Sequence, residues 1–437
     1  MKASFYNIFF ENDNHKYVYN TLTTGLAELD DDTYSNLKNN VVDFSEKNLK
    51  ALMQAGYLVD DSEDEYNKYL YFYNSVRFGR SASTFVITFV PTYGCNLACP
   101  YCMQGQDKNP KRITDEGVNS IVLFCEKQIA KTEEQGQEIK QLYVNLFGGE
   151  PTLYKDALFL FCRSIKRLAD EKSIPIAFLM TSNFTMIDDN LINFIDEYDI
   201  SVQITIDGTP EQHDKRRITK TGLGTYETII SNLQRIKDRG LKSKITIRIN
   251  LDKDNVSDAE AILKKLMPFS DDIYFGYLDN YSGKNDDFTS CIDCNQYATI
   301  NTSRLDDILR ENGFLLGGRR FGKQAPCSIN SVNKFFVDCN LDVYKCDMLL
   351  NNPKMRVGTI GDDGSFSPEA GYYYQMNISP EKYPRCRYCK LLPLCGSGCA
   401  GKSYFRFSVG TNQINKENCS YSEEDLVSYL VNYVSHS

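Results

Sequence analysis

Three cysteines with a C-x3-C-x2-C spacing, Cys95, Cys99 and Cys102, are the residues of this chain best placed to do chemistry. Thiols so close on one short loop can face one point, and soft thiolates suit an iron–sulfur cluster or zinc better than a hard cation. A structural zinc site would need a fourth Cys or His. The next cysteine, Cys125, lies on a helical pattern, and the chain has only three histidines. The spacing therefore favours a cluster with one iron open to a small molecule over a C-x-x-C site with a stray thiol.

The cysteine loop follows an apolar run at residues 85–90 that is typical of a strand, and α/β proteins place active-site loops at such strand ends. Five further strand-like runs alternate with helical or loop patterns, at residues 142–147, 176–180, 202–206, 245–249 and 273–277. Continuous apolar runs in regular alternation with helices predict a buried parallel sheet with right-handed crossovers. Six such steps are too few for a closed barrel of eight strands.

Polar motifs follow the predicted strands where each one ends. Gly148, Gly149 and Glu150 come after the second strand; the glycines allow close backbone approach, and the carboxylate can accept from an ammonium. By itself, Gly-Gly-Glu-Pro would be an ordinary turn. Ser182 and Asn183 follow the third strand. The end of the fourth strand and its loop hold Thr205, Asp207, Gly208, His213, Asp214 and Arg217.

Together these motifs resemble the radical S-adenosylmethionine (SAM) superfamily. The resemblance implies an α/β fold, with a partial (βα)6 TIM-like barrel at residues 81–280. It also implies a [4Fe-4S] cluster on Cys95, Cys99 and Cys102. In the family, the open iron chelates the methionine part of SAM and reduces SAM to a 5'-deoxyadenosyl radical.

The same resemblance assigns the SAM contacts. Five residues match the motifs after the second and third strands: Gly148, Gly149 and Glu150, which hold the amino group, and Ser182 and Asn183, which contact ribose and carboxylate. Phe184 stands where a Gly is usual. The backbone of Tyr101 matches the position that meets adenine, and Thr205 replaces a serine of the next motif. Arg217 matches a carboxylate clamp, with a solvated arginine as the alternative.

Three other reactive side chains are predicted to be structural. His213 is expected to cap a helix or to hold Asp214 rather than to act in catalysis. Cys125 and Cys162 fall on apolar helical faces and are expected to pack in the core.

Cys327 and Cys346 bracket a hairpin pattern at residues 334–337 and 342–345. Five more cysteines follow, four of them in a C-x2-C-x5-C-x3-C spacing: Cys386, Cys389, Cys395, Cys399 and Cys419. These seven resemble the SPASM signature, a C-terminal extension of radical SAM peptide maturases, here at residues 327–437. The resemblance implies two auxiliary [4Fe-4S] clusters, one on Cys386, Cys389, Cys395 and Cys419 and the other on Cys327, Cys346 and Cys399. Disulfides or a zinc ribbon are the alternative.

Cys339 lies closer to Cys346 than the extra ligand of the SPASM signature normally does, and we expect it in the hairpin turn, facing away. The hypothesis is then an iron with three protein thiolates whose open position binds the cysteine of a substrate. Asp347 matches a position where sulfatase-maturing relatives keep a general base. An ordinary hydrogen-bonded hairpin carboxylate is the alternative.

Residues 1–80 read as a small module with strand-like runs at 5–10 and 16–20, a helix from Ser45 to Gly56, and a return strand at 57–59. This pattern resembles the winged-helix-like peptide-recognition module of many peptide-modifying radical enzymes, which can add a leader peptide to a sheet edge. A packing extension or a dimerisation module is the alternative. Residues 281–326 form a bridge, where Cys291 and Cys294 fit zinc, an extra cluster ligand or free thiols.

The composition of the chain limits the cellular location and the kinds of binding partner that can be expected. The formal net charge of −9 argues against a nucleic-acid binder, and no apolar run reaches the ~18 to 20 residues of a membrane span. The N-terminus has no secretion signal pattern, so we expect a cytoplasmic protein. Fifteen cysteines are poorly explained as disulfides in a reducing compartment, which favours metal ligation.

The combined resemblance implies a radical SAM maturase of a ribosomally made peptide. The favoured reaction is thioether crosslinking of a precursor peptide with a leader sequence, with electrons from a reductant such as flavodoxin or ferredoxin. The alternatives are carbon–carbon crosslinking, formylglycine-type oxidation of Cys or Ser in sulfatases, and a non-enzymatic iron–sulfur electron carrier or regulator. The SAM motifs argue against the carrier, which needs no SAM site.

Overall fold

The computed structural model of the chain describes residues 1–80, 82–105, 108–241, 243–277, 327–399 and 422–435, together with residues 309 and 311. The chain divides into two compact units. The first contains residues 1–79, 319–327 and 377–437; the second contains residues 80–318 and 328–376. The stretch 327–437, expected as one SPASM domain, therefore contributes to both units.

The described residues contain fifteen strands, in chain order β1 Lys2–Ala3, β2 Asn7–Asn12, β3 His15–Asn20, β4 Leu26–Leu29, β5 Leu58–Val59, β6 Thr84–Val90, β7 Gln141–Leu146, β8 Ile176–Ser182, β9 Ser201–Thr205, β10 Ile245–Leu251, β11 Asp272–Tyr277, β12 Lys334–Asp338, β13 Asp342–Tyr344, β14 Gly358–Ile360 and β15 Phe366–Pro368. Their α-helices are α1 Asp31–Lys38, α2 Glu46–Ala55, α3 Glu65–Ser75, α4 Asp115–Glu134, α5 Lys155–Glu171, α6 Asp189–Glu197, α7 Pro210–Arg216, α8 Tyr226–Arg239, α9 Ala259–Leu266, α10 Ala370–Met376, α11 Leu392–Cys395 and α12 Glu423–Ser435.

The second unit is built on one sheet with the strand order β11-β10-β9-β8-β7-β6-β12-β13-β14-β15. Strands β6 to β11 are parallel neighbours in chain order, and helices α4 to α9 lie between them in the sequence. This confirms the predicted α/β architecture, with each of the six strands within two residues of its predicted bounds. The other edge of β6 pairs with β12, so this edge of the set does not close on β11.

The two faces of the central strands differ in polarity because side chains alternate along a strand. On β6, Phe85, Ile87 and Phe89 are fully buried, and Phe89 stacks on Phe161 of α5 with ring centroids 4.1 Å apart. Thr88, between them, points to the opposite face and lines a cavity. The helices therefore cover the apolar face, and the polar face is turned toward the cavity.

The first unit begins with a three-stranded antiparallel sheet in the order β2-β3-β4. Its first hairpin turns at Asp13 and Asn14, which both have positive φ, as a two-residue hairpin turn requires. Helix α2 starts at the predicted cap Ser45, whose side chain accepts from the Asn48 amide, and ends at Gly56 with φ 78°. Strand β5 pairs with β1. The hairpin, the capped helix and the return strand are thus present; the winged-helix relationship stays a prediction.

Both ends of the chain share the core of the first unit. One cluster, the terminal cluster, joins the first sheet to the C-terminal segments: Ile8, Phe10, Tyr19, Leu391, Leu394, Leu426 and Leu430. A second, the tyrosine cluster, joins α3 to α11: Tyr6, Leu22, Tyr69, Leu70, Tyr73 and Leu392. Lys390 Nζ also donates to the carbonyl of Asn7 at 3.0 Å. The N-terminal residues are therefore not a free-standing module.

Among the described helices, none combines the length and the hydropathy needed to cross a membrane.

Candidate functional site

A cavity of ≈ 560 Å³ lies in the second unit, against the polar face of the sheet and the loops at its strand ends. Its lining contains every residue predicted for the first cluster and for SAM: Cys95, Cys99, Tyr101, Cys102, Gly148, Gly149, Glu150, Ser182, Asn183, Thr205 and Arg217. Asp347, the predicted base, lines the same cavity. Residues spread over more than 250 positions of sequence thus meet around one space.

The cysteine loop packs on itself and on the segment after α7. Cys95 and Cys99 are buried with Leu97, and Tyr101 and Cys102 pack against them. The Ala98 amide donates to the Ile218 carbonyl at 2.8 Å, which ties the loop down. Burial raises the pKa of the Cys99 thiol to about 11.

The thiol arrangement suits a cluster better than a single ion. Within the described chain, no three His, Cys, Asp or Glu side chains already converge on a point that could hold a metal ion. In an iron–sulfur cluster each thiolate binds a different iron, so the three thiols need to line one wall rather than meet. Cys95, Cys99 and Cys102 do line one cavity.

Gly148 and Gly149 are needed for contact with the chain that leads into the cysteine loop. The Gly149 amide donates to the Thr92 carbonyl at 3.0 Å, and the Glu150 amide donates to the Gly94 carbonyl at 2.9 Å. A Cβ added at Gly149 would overlap the carbonyl oxygens of Tyr93 and Gly94. The glycine motif therefore fixes the cysteine loop against the end of β7.

We expect Gly149→Ala to lower SAM cleavage about tenfold or more, because a backbone oxygen cannot rotate away as a side chain can and a small misplacement is costly. The readouts are 5'-deoxyadenosine formation and iron content. Gly79→Ala is the matched control, since a Cβ there meets nothing within 4 Å. Wild-type cleavage by Gly149→Ala would contradict the fixing role.

Glu150 is a buried carboxylate held by the predicted SAM-binding pair. Its oxygens accept from Ser182 Oγ at 2.8 Å and from the Asn183 amide at 2.6 Å, with Thr152 Oγ1 at 2.7 Å. Burial raises the pKa of Glu150, and these hydrogen bonds lower it again, with a net rise. None of the ion pairs among the described residues involves Glu150, and a buried carboxylate in this state favours an ammonium as ligand. Ser182 and Asn183 therefore orient Glu150 toward the cavity.

Asn183 also reaches the cysteine loop, since its Nδ2 donates to Asn96 Oδ1 at 2.8 Å and lies 3.8 Å from Cys95 Sγ.

Phe184, which replaces the usual Gly, keeps a glycine-like backbone with φ 61°. A positive φ is strained for an aromatic residue such as Phe184. The fully buried ring and a bond from Asn232 Nδ2 to the Phe184 carbonyl, 2.9 Å, hold it there.

Arg217 and Tyr101 form another part of the cavity wall. Arg217 is only 9% exposed, so the alternative of a solvated arginine is wrong. Its Nη1 donates to the Tyr101 hydroxyl at 2.9 Å, and that hydroxyl donates to Asp207. Burial alone would lower the pKa of Arg217, but Tyr101, Cys99 and Asp207 raise it well above its usual value. Among the described residues its Nε has no hydrogen-bond partner, so one N–H remains available for a carboxylate.

His213 supports this wall from behind. Its Nδ1 accepts from the Asp207 amide at 3.2 Å, and its Nε2 lies 3.1 Å from Thr225 Oγ1. Thr225 Oγ1 donates to the Arg217 carbonyl, so the Nε2 of His213 must be the donor. Burial, Arg217 and Arg216 lower the pKa of His213 to about 2. The ring is a neutral positioning group.

Asp214 does not bond to His213, so that predicted alternative is wrong. Its carboxylate accepts from the amides of Thr225 at 2.7 Å and Tyr226 at 2.9 Å. These amides begin α8, whose first N–H groups lack helical partners.

The sequence reading missed several cavity residues. Several lie on strands, among them Asn145, Gln203, Arg248 and Tyr274. Polar residues at alternate strand positions were the available signal, since such positions share one face. Gln104, two residues after the cysteine loop, donates from Nε2 to the Gly148 carbonyl at 2.8 Å. Its Oε1 is buried without a partner among the described residues and can accept from a ligand.

The remaining cysteines separate into different environments. Cys125 and Cys162 are fully buried in α4 and α5, which confirms core packing. Cys339 is buried in the turn between β12 and β13, and burial raises its pKa to about 12. Cys346 precedes Asp347, whose Oδ1 accepts from the Met348 amide at 3.0 Å.

The other predicted cluster ligands belong to the first unit: Cys327, Cys386, Cys389, Cys395 and Cys399. Cys291, Cys294 and Cys419 lie outside the described residues. The assignment of these cysteines to two clusters stays a prediction.

The segment that contains most of the cavity residues matches a known protein family. The sequence of residues 89–266 matches the Radical SAM superfamily. This segment is a radical SAM domain. The superfamily uses a [4Fe-4S] cluster and SAM, and its SPASM maturases carry auxiliary clusters, which confirms the predicted cofactors. The three thiols, the buried carboxylate and the free arginine N–H fit these groups.

Curated relatives are similar over most of the chain. The cysteine-type anaerobic sulfatase-maturating enzyme of Clostridium perfringens is 25% identical over 331 residues, which cover 70% of this chain and 86% of that protein. The mycofactocin maturase of Mycolicibacterium smegmatis is 22% identical over 336 residues, which cover 73% of this chain and 79% of that protein.

Solved structures share the fold as well. Native anSMEcpe with bound AdoMet and a Cp18Cys peptide has a TM-score of 0.63 at 20% identity, covering 80% of this chain and 98% of that chain. Streptococcus suis SuiB bound to precursor peptide SuiA has a TM-score of 0.54 at 14% identity, covering 96% of this chain and 100% of that chain. Together with the radical SAM domain, they confirm the α/β radical SAM fold.

Proposed function

We propose that this chain is a radical SAM enzyme that modifies a ribosomally made precursor peptide by forming a thioether. The observation that carries the proposal is the single cavity in which the cysteine loop, the buried Glu150, Arg217 and Asp347 meet. The relatives support a peptide substrate, because SuiB is described with a precursor peptide and two relatives are named as maturating enzymes.

The amino and carboxylate groups of SAM, which are attached to one carbon of its methionine part, each have a charge-matched group on the cavity wall. Glu150 accepts from the ammonium, and the free Nε of Arg217 donates to the carboxylate, since both groups are buried and charge-complementary to the ligand. Cys95, Cys99 and Cys102 would hold the cluster. When bound, the cluster and SAM would supply the radical chemistry that removes a hydrogen atom from the substrate carbon.

Asp347 is the residue proposed to accept the proton of the reaction, because it lines the cavity. Joining a thiol sulfur to carbon removes two hydrogens: one leaves as the abstracted hydrogen atom, and the other as a proton plus an electron. Asp347 would take the thiol proton, and an auxiliary cluster held by the C-terminal cysteines would serve as the electron acceptor. Cys346, directly before Asp347, is proposed as a ligand of an auxiliary cluster that would bind the substrate thiol, while Cys339 stays buried in its turn.

The first unit is proposed to bind the leader of the precursor peptide by strand addition. In its three-stranded sheet, helix α12 packs against β2, and β4 is the other edge strand. β4 is therefore the proposed leader site. A flavodoxin or ferredoxin is the proposed reductant.

Formylglycine formation in a sulfatase is the second candidate, because the 25% identical relative is a cysteine-type sulfatase-maturating enzyme. Mass spectrometry separates the two reactions. The enzyme is co-expressed with a small cysteine-containing peptide encoded beside its gene. A thioether removes two hydrogens and protects the cysteine from alkylation, whereas formylglycine formation removes the sulfur.

We expect Asp347→Asn to keep uncoupled SAM cleavage and to lower crosslinked product about tenfold or more, the range typical of a lost general base. Asp363→Asn is the control, since that exposed carboxylate pairs with Lys127 away from the cavity. Full product formation by Asp347→Asn would remove this residue from the mechanism.

The proposed function as a whole would be contradicted if the wild-type enzyme bound the leader of the precursor peptide and left the peptide unmodified.

A further inference from the structure

The tyrosine cluster of the first unit contains two hydroxyl groups that bond to nothing in the described chain. Tyr6 is 1% exposed and Tyr69 is 0% exposed, and the hydroxyl of each lacks a hydrogen-bond partner among the described residues. Burying a hydroxyl without an acceptor is costly, and a phenylalanine would fill the same space without that cost. Two such groups in one cluster point to an acceptor other than the described protein atoms.

Cysteines predicted to bind iron lie beside this tyrosine cluster. Cys386 and Cys389 are partly buried and pack against it. These two cysteines and the two phenol groups therefore belong to one packed cluster within the first unit.

We propose that Tyr6 and Tyr69 donate O–H···S hydrogen bonds to the iron–sulfur centre held by Cys386, Cys389 and Cys395. Sulfur ligands of a cluster carry negative charge and accept hydrogen bonds, which the surrounding leucines cannot do. The inference rests on the proposed ligand role of these cysteines and not on the reaction catalysed.

Hydrogen bonds to cluster sulfurs stabilise the reduced state, which carries one more negative charge. Tyr6 and Tyr69 then make the auxiliary cluster easier to reduce. Both residues come from the N-terminal part of the chain, before the radical SAM domain. The N-terminal segment would thus tune an electron acceptor as well as bind peptide.

The test is a redox titration, followed by electron paramagnetic resonance, of the reconstituted full-length enzyme and of Tyr6→Phe, Tyr69→Phe and the double variant. Each substitution is expected to lower the equilibrium constant for reduction of one auxiliary cluster roughly threefold to tenfold. A tenfold decrease corresponds to a reduction potential that is lower by ~59 mV for one electron. The first cluster should keep its potential. Tyr57→Phe is the matched control, because Tyr57 is equally buried in the same unit but belongs to another hydrophobic cluster.

An unchanged potential in the double variant at full iron content would overturn the inference, and would indicate a buried water as the acceptor. Iron content tests the assignment of Cys386 and Cys389 as cluster ligands, on which the inference depends. If Cys386→Ala and Cys389→Ala both keep all their iron, these cysteines are not ligands and the inference falls with that assignment. The peptide reaction is scored independently by mass spectrometry.

Discussion

Replacing Cys95, Cys99 and Cys102 together by alanine is expected to abolish SAM cleavage while about two of the three clusters stay bound. The three thiols line the cavity that also holds Glu150 and Arg217, so losing them removes the iron to which SAM would bind. The C-terminal cysteines are separate in sequence and should keep their iron. Iron analysis and 5'-deoxyadenosine formation measure both parts.

A matched control exists in the same unit. Cys125→Ala removes a thiol that is fully buried in α4 and does not line the cavity. It should cost about 1 to 3 kcal/mol of stability as a small core truncation, with normal iron content and cleavage. Loss of all iron from the triple variant would refute the separation of the sites. Full cleavage by that variant would end the radical SAM interpretation.

Deleting residues 1–79 is expected to unfold the rest of the first unit, not merely to remove a peptide-binding module. Ile8, Phe10 and Tyr19 form one buried cluster with side chains of α11, α12 and the segment before α11. Without them, the leucines of the C-terminal segments lose their partners and become exposed. We expect aggregation or loss of the iron bound by Cys386, Cys389 and Cys395, measured by iron content and gel filtration.

Single substitutions make the same test without a deletion. Phe10→Ala should cost about 3 to 5 kcal/mol as a buried aromatic truncation and should lower C-terminal iron. Phe5→Ala is the control, because Phe5 is 41% exposed. If the truncated protein keeps all its iron and its solubility, the shared core is not essential, and deletion becomes a clean test of leader binding.

Much of the second unit could be predicted because its signals are local. Each strand of the set β6 to β11 is a short apolar run, and each motif residue lies a few positions after a strand end. Parallel strands in chain order bring those ends together, so Cys95, Glu150 and Arg217 meet without any need to predict long-range contacts.

The polar strand residues that line the cavity were harder to predict from the sequence. The runs were read as continuously apolar, whereas Thr88, Asn145 and Arg248 alternate with buried residues and line the cavity. A parallel strand that is buried on one face and faces a ligand on the other shows a weaker alternation than a surface strand does. Side-chain polarity at alternate positions would have identified these residues.

Contacts between the N-terminal and C-terminal segments of the first unit could not be predicted. Nothing in the sequence near Tyr6 or Ile8 indicates that the last helix of the chain packs there, because a hydrophobic residue does not specify its partner. The left-handed backbone of Phe184 was likewise hidden, since aromatic residues rarely adopt it. Each of these features depends on tertiary structure, which overrides local preference.

The pairing of β12 with β6 has a mechanical consequence. Asp338, the last residue of β12, pairs with Val90, and Tyr93 donates from its hydroxyl to Asp338 Oδ2 at 2.9 Å. Cys346 and Asp347, which follow β13, are therefore connected to the loop of Cys95 through the pairing of β12 with β6. A shift of one of these strands is expected to move the other with it, so we expect the distance between Cys95 and Asp347 to change little.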